Sequence, residues 1–200
     1  MTNNPQFQRP AFPFKGGKSP LAITIGILVA IGVLFTALSG FYADWLWFKS
    51  VNFTNTWSTI LTTKATLFVI SGLLTSVIVV SNVLLAYKRR PLYVPMTVEA
   101  DNLERYRSQV EPIRRPIIIG LSIALFYFAG TAGSQMWSTW LLFKNSTPFG
   151  VTDPQFNMDI SFFAFRLPFW QTLISWGIST AILAILASVA VHYLYGGIRL

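Results

Sequence analysis

The sequence contains no cysteine and a single histidine, His192. The absence of cysteine excludes disulfides, thiol catalysis and thiolate metal sites, and one imidazole argues against a histidine-based metal cluster, so we expect neither metal nor cofactor. Charged residues are also scarce, at 11% of the 200 residues, against about 25% in soluble domains. Because so few charges cannot cover a water-facing surface, we expect the lipid bilayer to be the solvent and partner of this chain.

Acidic residues are the rarer charged type, since seven of them stand against 15 Lys and Arg, which gives a formal net charge of +8. In a membrane protein this excess does not indicate nucleic acid. Lys and Arg collect beside the helix ends that face the cytoplasm, where anionic lipid attracts them. We therefore expect no nucleic-acid partner.

Long apolar runs follow a polar segment at the N-terminus. Residues 1–20 contain four prolines, three basic residues and no acid, a composition typical of a disordered basic cytoplasmic tail. The apolar runs cover residues 21–41, 60–87, 117–137 and 169–193. Each is long enough to cross about 30 Å of hydrocarbon as a helix, the structure that satisfies its own backbone hydrogen bonds in lipid. The predicted fold is all-α, a polytopic transmembrane helical bundle with four spans within residues 21–200.

The positions of the basic residues predict that both chain ends lie in the cytoplasm. With the N-terminus inside, the cytoplasmic segments hold eleven Lys and Arg residues and the outer loops hold three, which is the expected bias. The cytoplasmic loop, residues 88–115, is predicted to contain an amphipathic helix between Pro95 and Pro112 that lies on the inner membrane surface. A helix that binds a partner protein is the alternative for this segment.

Polar residues form a stripe along the second run. Lys64, Ser71, Thr75 and Asn82 are spaced by 7, 4 and 7 residues, which places them within about 40° of one line on a helix. The stripe is either a packing surface, with Lys64 extending to the outer headgroups, or the wall of a polar pathway. Packing is favoured, because the spans contain no carboxylate to pair with Lys64.

The outer loop, residues 141–168, contains a second candidate element. Asp153 followed by Pro154 is a good helix start. Five phenylalanines between positions 156 and 169 then surround Asp159 and Arg166. An interfacial helix with its phenylalanines in the headgroup region is favoured over a lid or re-entrant element above a pathway.

Four segments resemble a known family: residues 42–48, 140–143, 147–156 (TPFGVTDPQF) and 192–200. The family is the uncharacterised protein family (UPF) 0182, whose members are large bacterial membrane proteins, mainly from actinobacteria. The resemblance covers essentially the whole chain beyond its N-terminal tail. It implies a multi-pass protein of the bacterial plasma membrane. The family is described as having about seven spans and then a large extracytoplasmic region, so this chain resembles the N-terminal membrane region only.

The residues present favour a non-enzymatic function. The sequence contains no nucleophile elbow, HExxH motif, Gly-rich dinucleotide loop or paired carboxylates within its spans, and we therefore name no catalytic residue. We expect a membrane anchor and scaffold for an extracytoplasmic domain. Its expected partners are other membrane helices or the missing C-terminal part of the protein. The alternative is a component of a transporter or channel that uses the polar stripe.

Overall fold

A computed structural model describes residues 20–90 and 106–197. The helices are α1 (Pro20–Ser50), α2 (Thr54–Lys88), α3 (Arg114–Ser134), α4 (Trp137–Lys144) and α5 (Leu167–Leu194), and a π-helical turn (Phe162–Arg166) leads into α5. A helical turn also covers residues 106–110. Residues 1–19 of the predicted disordered tail, and the part of the predicted loop helix before position 106, lie outside the described residues.

The predicted all-helical fold with four apolar helices able to span a membrane is confirmed. These helices cover Ile23–Ser50, Thr54–Lys88, Arg114–Ser134 and Phe162–Leu194. In the described ranges the strand pairing is an isolated bridge between Thr152 and Asp159. The chain is therefore a multi-pass membrane protein.

The helix ends differ from the limits of the apolar runs. α1 continues to Ser50, beyond the predicted limit at residue 41, and α2 begins at Thr54 rather than at residue 60. A helix need not end where the hydrocarbon ends, because its backbone hydrogen bonds continue through the headgroup region. The third predicted span has the expected length but is shifted by three residues toward the N-terminus, since α3 covers Arg114–Ser134 and a tight turn separates it from α4.

The chain divides into two compact units between Trp57 and Ser58. In the first unit, apolar residues occupy every face of α1, as expected for a membrane-spanning helix. The α1–α2 connection turns at Asn52, whose φ is 62°, and the Phe53 N–H donates to the Phe48 carbonyl at 2.9 Å.

In the second unit, α2 packs through a seam of small and β-branched residues. The buried residues of α2 are Gly72, Thr75, Val79, Val83 and Ala86. Their spacing of three or four positions defines one face of a helix.

Glycine permits the close approach of α2 and α3. A Cβ added at Gly72 would lie 2.6 Å from the Phe126 carbonyl oxygen, and one added at Gly133 would overlap the Ser71 side chain. The Phe68 and Phe126 rings meet edge to face beside these glycines, with centroids 5.3 Å apart. Small residues at such crossings are typical of membrane helices, which associate mainly through van der Waals packing.

Candidate functional site

Ser71, one member of the polar stripe, connects α2 to α3. Its Oγ lies 2.7 Å from the Leu67 carbonyl in the preceding turn and 3.0 Å from the Ala129 carbonyl of α3. A serine in an apolar helix usually bonds to its own backbone. Ser71 also reaches a neighbouring helix, because Gly133 opposite it has no side chain to hold the two backbones apart.

Thr75, the second member near mid-depth, connects α2 to α5. Its side chain is buried, with 2% of the residue exposed, and the Trp176 Nε1–H donates to its Oγ1 at 3.1 Å. The indole N–H thereby obtains an acceptor in a region that offers no water. The two mid-depth hydroxyls of the stripe thus contact two different helices.

The other two members of the stripe lie near its ends. Lys64 is half-buried, and its ammonium lies 5.4 Å from the ring centroid of Trp137, a cation–π distance. Asn82 is exposed and donates to the Ile78 carbonyl of its own helix at 2.8 Å. With 1.5 Å of rise per residue, Lys64 and Asn82 are about 27 Å apart along α2. The structure does not bring the four side chains together at one site.

A recess of about 520 Å³ lies between α2, α4 and α5, beside the stripe. Its walls are mainly apolar and aromatic and include Trp140, Phe169 and Trp176. Ser71 also lines it, as do three threonines at positions 62, 63 and 66. Two of these threonines donate to carbonyls of their own helix. On the other side of Trp176, a smaller recess of about 320 Å³ lies between α3 and α5.

Asp159 organises the outer loop. Its carboxylate accepts hydrogen bonds from the backbone N–H groups of Phe149 at 3.1 Å, Gly150 at 2.8 Å and Ser161 at 2.8 Å. A hydrogen bond from the Ser161 side chain and these backbone donors hold the pKa of Asp159 well below its ordinary value of 3.8. The carboxylate is therefore a structural acceptor that holds two parts of the loop together.

The predicted helix start at Asp153 is wrong. The Asp153 Oδ1 does accept from the N–H groups of Gln155 and Phe156, each at 2.9 Å, as a cap would. The chain then reverses, because Asn157 adopts a φ of 53°, and the Asp153 N–H donates to the Met158 carbonyl at 2.8 Å. The result is a tight hairpin-like turn, since aspartate can stabilise a turn with the same side-chain acceptor that caps a helix.

Arg166 ends the π-helical turn and is exposed. Its Nε–H lies 3.4 Å from the Ser146 Oγ. Arg166 and Asp159 both line a depression of about 300 Å³ on the outer loop, whereas Asp153 is absent from its lining. Of the three candidate residues of the outer loop, the fold therefore brings Asp159 and Arg166 together.

We expect Asp159→Asn to loosen the outer loop at neutral pH. The amide loses the negative charge that attracts three N–H donors, so hydrogen exchange at Gly150 and Ser161 should become faster than in wild type. The pKa of the Asp159 carboxyl is lower in the folded chain than in the unfolded chain. Its contribution to the stability of the loop is therefore present above about pH 4 and is lost as the pH falls below that value. The difference between variant and wild type should therefore be constant above about pH 4 and shrink as the pH falls from about 4 toward 2.

Asp44→Asn, the same change at an exposed position in α1, is the matched control and should leave exchange in the loop unaltered. Equal exchange in Asp159→Asn and wild type at neutral pH would show that the carboxylate does not hold the loop.

A third group of interacting side chains was not predicted from the sequence. It lies at the end of the second unit opposite the outer loop. We call it the arginine–tyrosine cluster. Its members lie at or just beyond the end of α2, in the segment 106–113, at the start of α3 and just beyond the end of α5: Tyr87, Arg90, Arg107, Glu111, Arg114 and Tyr195.

Glu111 is the centre of the cluster. The Tyr87 hydroxyl donates to one carboxylate oxygen at 2.6 Å, and the Tyr195 hydroxyl donates to the other at 2.7 Å. The terminal nitrogens of Arg114 and Arg90 lie 3.4 Å and 3.7 Å from Oε1. The tyrosine hydrogen bonds, that from Tyr87 first, lower the pKa of Glu111 from its ordinary value. Burial and the hydrogen bond to Glu111 raise the pKa of Tyr195 to about 12.

Guanidinium groups also stack on the two tyrosine rings, whose centroids are 5.2 Å apart. Arg90 lies 4.2 Å from the Tyr87 centroid and 5.0 Å from that of Tyr195. Arg114 lies 4.1 Å from the Tyr87 ring, and Arg107 lies 5.8 Å from the Tyr195 ring. The sequence showed Glu111 and Arg114 three residues apart, but it gave no sign that Tyr87 and Tyr195 would meet them.

Residues 21–200 match the sequence profile of a family described as an uncharacterised protein family (UPF0182). The chain belongs to this family. UPF0182 proteins of Streptomyces coelicolor, Salinispora tropica and Thermobifida fusca are 40%, 44% and 39% identical to it over 179, 181 and 182 residues. The predicted family is thus confirmed.

The aligned region covers 90%, 89% and 91% of this UPF0182 chain, but 18% of each of these three relatives. The chain thus spans less than a fifth of the length of these three relatives. No solved structure matches this UPF0182 chain.

Proposed function

We propose that this chain is a non-enzymatic membrane anchor and assembly scaffold within a larger protein of the bacterial plasma membrane. The observation that carries the proposal is the hydrogen bonding of the two hydroxyl groups near the mid-depth of α2. Ser71 and Thr75 are both engaged in hydrogen bonds between helices, which is how polar groups support packing in a bilayer. The much greater length of the actinobacterial relatives supports the same proposal. In this proposal, the part of those relatives beyond the aligned region includes the extracytoplasmic domain that the anchor supports.

A split-protein experiment tests the scaffold. In the Streptomyces coelicolor relative, the region that aligns with this chain and the remainder are expressed as two polypeptides. If the region is an assembly scaffold, the two should co-purify from detergent-solubilised membranes. Recovery of the remainder at the same yield without the membrane region would argue against the scaffold.

Reporter fusions test the predicted orientation. Alkaline phosphatase, which is active outside the cytoplasm, should be active when fused at Asn52 or Ser146 and inactive when fused at Asn102. A cytoplasmic fluorescent reporter should give the reverse pattern. Activity of the phosphatase at Asn102 would overturn the arrangement with both ends inside, which is based on the distribution of Lys and Arg.

A transporter or channel component is the second candidate, and the recess beside the stripe favours it. Ser71 and three threonines contribute hydroxyl groups to this recess of about 520 Å³, and Lys144 contributes a positive charge. The protein reconstituted in liposomes would then conduct a solute or ion, and Lys64→Met or Ser71→Ala would reduce the flux without unfolding the protein. Flux equal to that of protein-free liposomes is the result that the scaffold predicts.

A further inference from the structure

We infer that the arginine–tyrosine cluster binds the phosphate group of an anionic phospholipid. The inference concerns the end of the bundle opposite the outer loop and does not depend on the proposed function. Its basis is an excess of positive charge that one carboxylate does not neutralise, at the place where α2 and α5 leave the membrane-spanning region.

The charges of the cluster do not balance. Arg90, Arg107 and Arg114 carry three positive charges, whereas Glu111 is the acid within ion-pair distance of Arg90 and Arg114 among the described residues. The excess persists in the whole segment 88–115, where seven Lys and Arg residues stand against four Asp and Glu residues. Basic pockets between membrane helices at the cytoplasmic surface are favourable positions for anionic headgroups.

The geometry suits a phosphate group. The Arg90 and Arg114 nitrogens both approach one oxygen of Glu111, so the two guanidinium groups lie close enough together for one phosphate to contact both. About one third of each arginine side chain is exposed, 36% for Arg90 and 33% for Arg114. The stacked tyrosines hold the guanidinium groups in place, so less side-chain entropy is lost when an anion binds.

Arg107 supplies a donor without an acceptor. Its Nε–H donates to the Leu194 carbonyl at the end of α5 at 2.6 Å. Its Nη2 is buried and has no hydrogen-bond partner in the part of the chain that the structure describes. A buried donor of this kind is costly unless it obtains an acceptor. Arg107 lies over the same Tyr195 ring as Arg90, so its unpartnered donor adds to a group of positive charges for which an anion is the matching ligand.

The position in the membrane favours a lipid over a free phosphate ion. Lys88, the last residue of α2, and Leu194, the last residue of α5, end apolar membrane helices beside the cluster. A phospholipid at this depth keeps its acyl chains in the hydrocarbon while its phosphate reaches the arginines. The predicted orientation also places the cluster at the cytoplasmic leaflet, where anionic lipid is expected.

The test measures lipid that remains bound when the protein is released from nanodiscs containing equal amounts of phosphatidylglycerol and phosphatidylcholine, using native mass spectrometry. Wild type should retain phosphatidylglycerol in preference to phosphatidylcholine. The variant Arg90→Gln, Arg114→Gln removes two basic residues and should retain at least about fivefold less phosphatidylglycerol, since a single basic residue near a surface already contributes roughly a fivefold effect. Equal retention of the two lipids by wild type would overturn the inference.

The matched control is Arg89→Gln, Arg115→Gln, which removes the same charge from exposed neighbouring positions. It should retain clearly more phosphatidylglycerol than the cluster variant. An equal loss in both variants would show that the attraction is nonspecific and would overturn the site. Inorganic phosphate added to the nanodiscs should leave phosphatidylglycerol bound. Its complete displacement would show that the site takes free phosphate and would overturn the lipid assignment.

Glu111→Gln keeps the inference falsifiable if the double arginine variant does not fold. The amide oxygen still accepts a hydrogen bond from a tyrosine, but the negative charge that competes with the phosphate is gone. Retention of phosphatidylglycerol should therefore rise above that of wild type. A fall in retention would show that Glu111 is needed for lipid binding and that the arginines are not its receptor, which would overturn the inference.

Discussion

The variant Gly72→Val is expected to lower the free energy of unfolding of the membrane domain by about 3 kcal/mol, at the upper end of the usual cost of overpacking. A Cβ at this position meets the Phe126 carbonyl oxygen at 2.6 Å and the Phe126 ring at 2.9 Å. A backbone oxygen cannot move aside without moving α3, so α2 and α3 must separate. Unfolding in bicelles, followed by steric trapping, measures this loss.

Gly120→Val is the matched control for Gly72→Val. Gly120 lies in α3, and a Cβ added there would have nothing within 4 Å. The same change in helix propensity therefore occurs without a clash, and stability should change by less than about 1 kcal/mol. If the two variants were equally stable, the close contact between α2 and α3 would not exist in the bilayer.

Thr75→Leu should be comparably destabilising, by about 3 kcal/mol. The larger side chain overfills a position that is 2% exposed, and it removes the acceptor for the Trp176 N–H, which then stays unpaired in an apolar region. Thr75→Val removes the same acceptor without adding bulk, so it should cost the hydrogen bond alone, about 0.6–1.7 kcal/mol. Unfolding free energies of the two variants separate packing from hydrogen bonding.

Two further α2 variants provide the contrast. Ser81 is exposed and bonds to the Ile78 carbonyl of its own helix, so Ser81→Leu should be nearly neutral. Lys64→Met should leave membrane insertion and expression essentially unchanged, because the ammonium lies over the Trp137 ring rather than in an ion pair among the described residues. Equal losses in Ser81→Leu and Thr75→Leu would show that any added bulk on α2 is harmful.

The sequence predicted the membrane helices because their physics is local. A run of about 20 apolar residues in lipid must satisfy its backbone within the segment, so length and composition suffice to identify a span. The limits of the helices were less predictable. Trp45 lies beyond the first apolar run but within α1, since hydrogen bonding continues where hydrophobicity stops.

The polar stripe shows where sequence reasoning reached its limit. The spacing placed Ser71, Thr75 and Asn82 on one side of α2, but this side is wider than the seam that packs against other helices. Thr75 lies within the seam and is buried, whereas Asn82, beside the buried Val83, is exposed. Which edge of the stripe is covered depends on where Gly72 and Gly133 allow the helices to approach.

The structures of the outer loop and of the arginine–tyrosine cluster were still harder to predict from the sequence, because they depend on the tertiary fold. Asp153 and Pro154 are compatible with a helix start and with a turn, and the φ of Asn157 decides for the turn. Asp159 and Arg166 were noted together because they are close in sequence. The contacts between Tyr87 and Glu111 and between Tyr195 and Glu111 join positions 24 and 84 residues apart, and no periodicity relates them.

The sequence by itself determined that this chain is a helical membrane protein of a recognisable family, because hydropathy and short sequence strings are read along one segment at a time. The tertiary structure decided which hydroxyls connect helices and which carboxylate gathers arginines and tyrosines. Those outcomes depend on the rotation and crossing of helices distant in sequence. In lipid these are set by close packing at small residues, not by a hydrophobic pattern that the sequence displays.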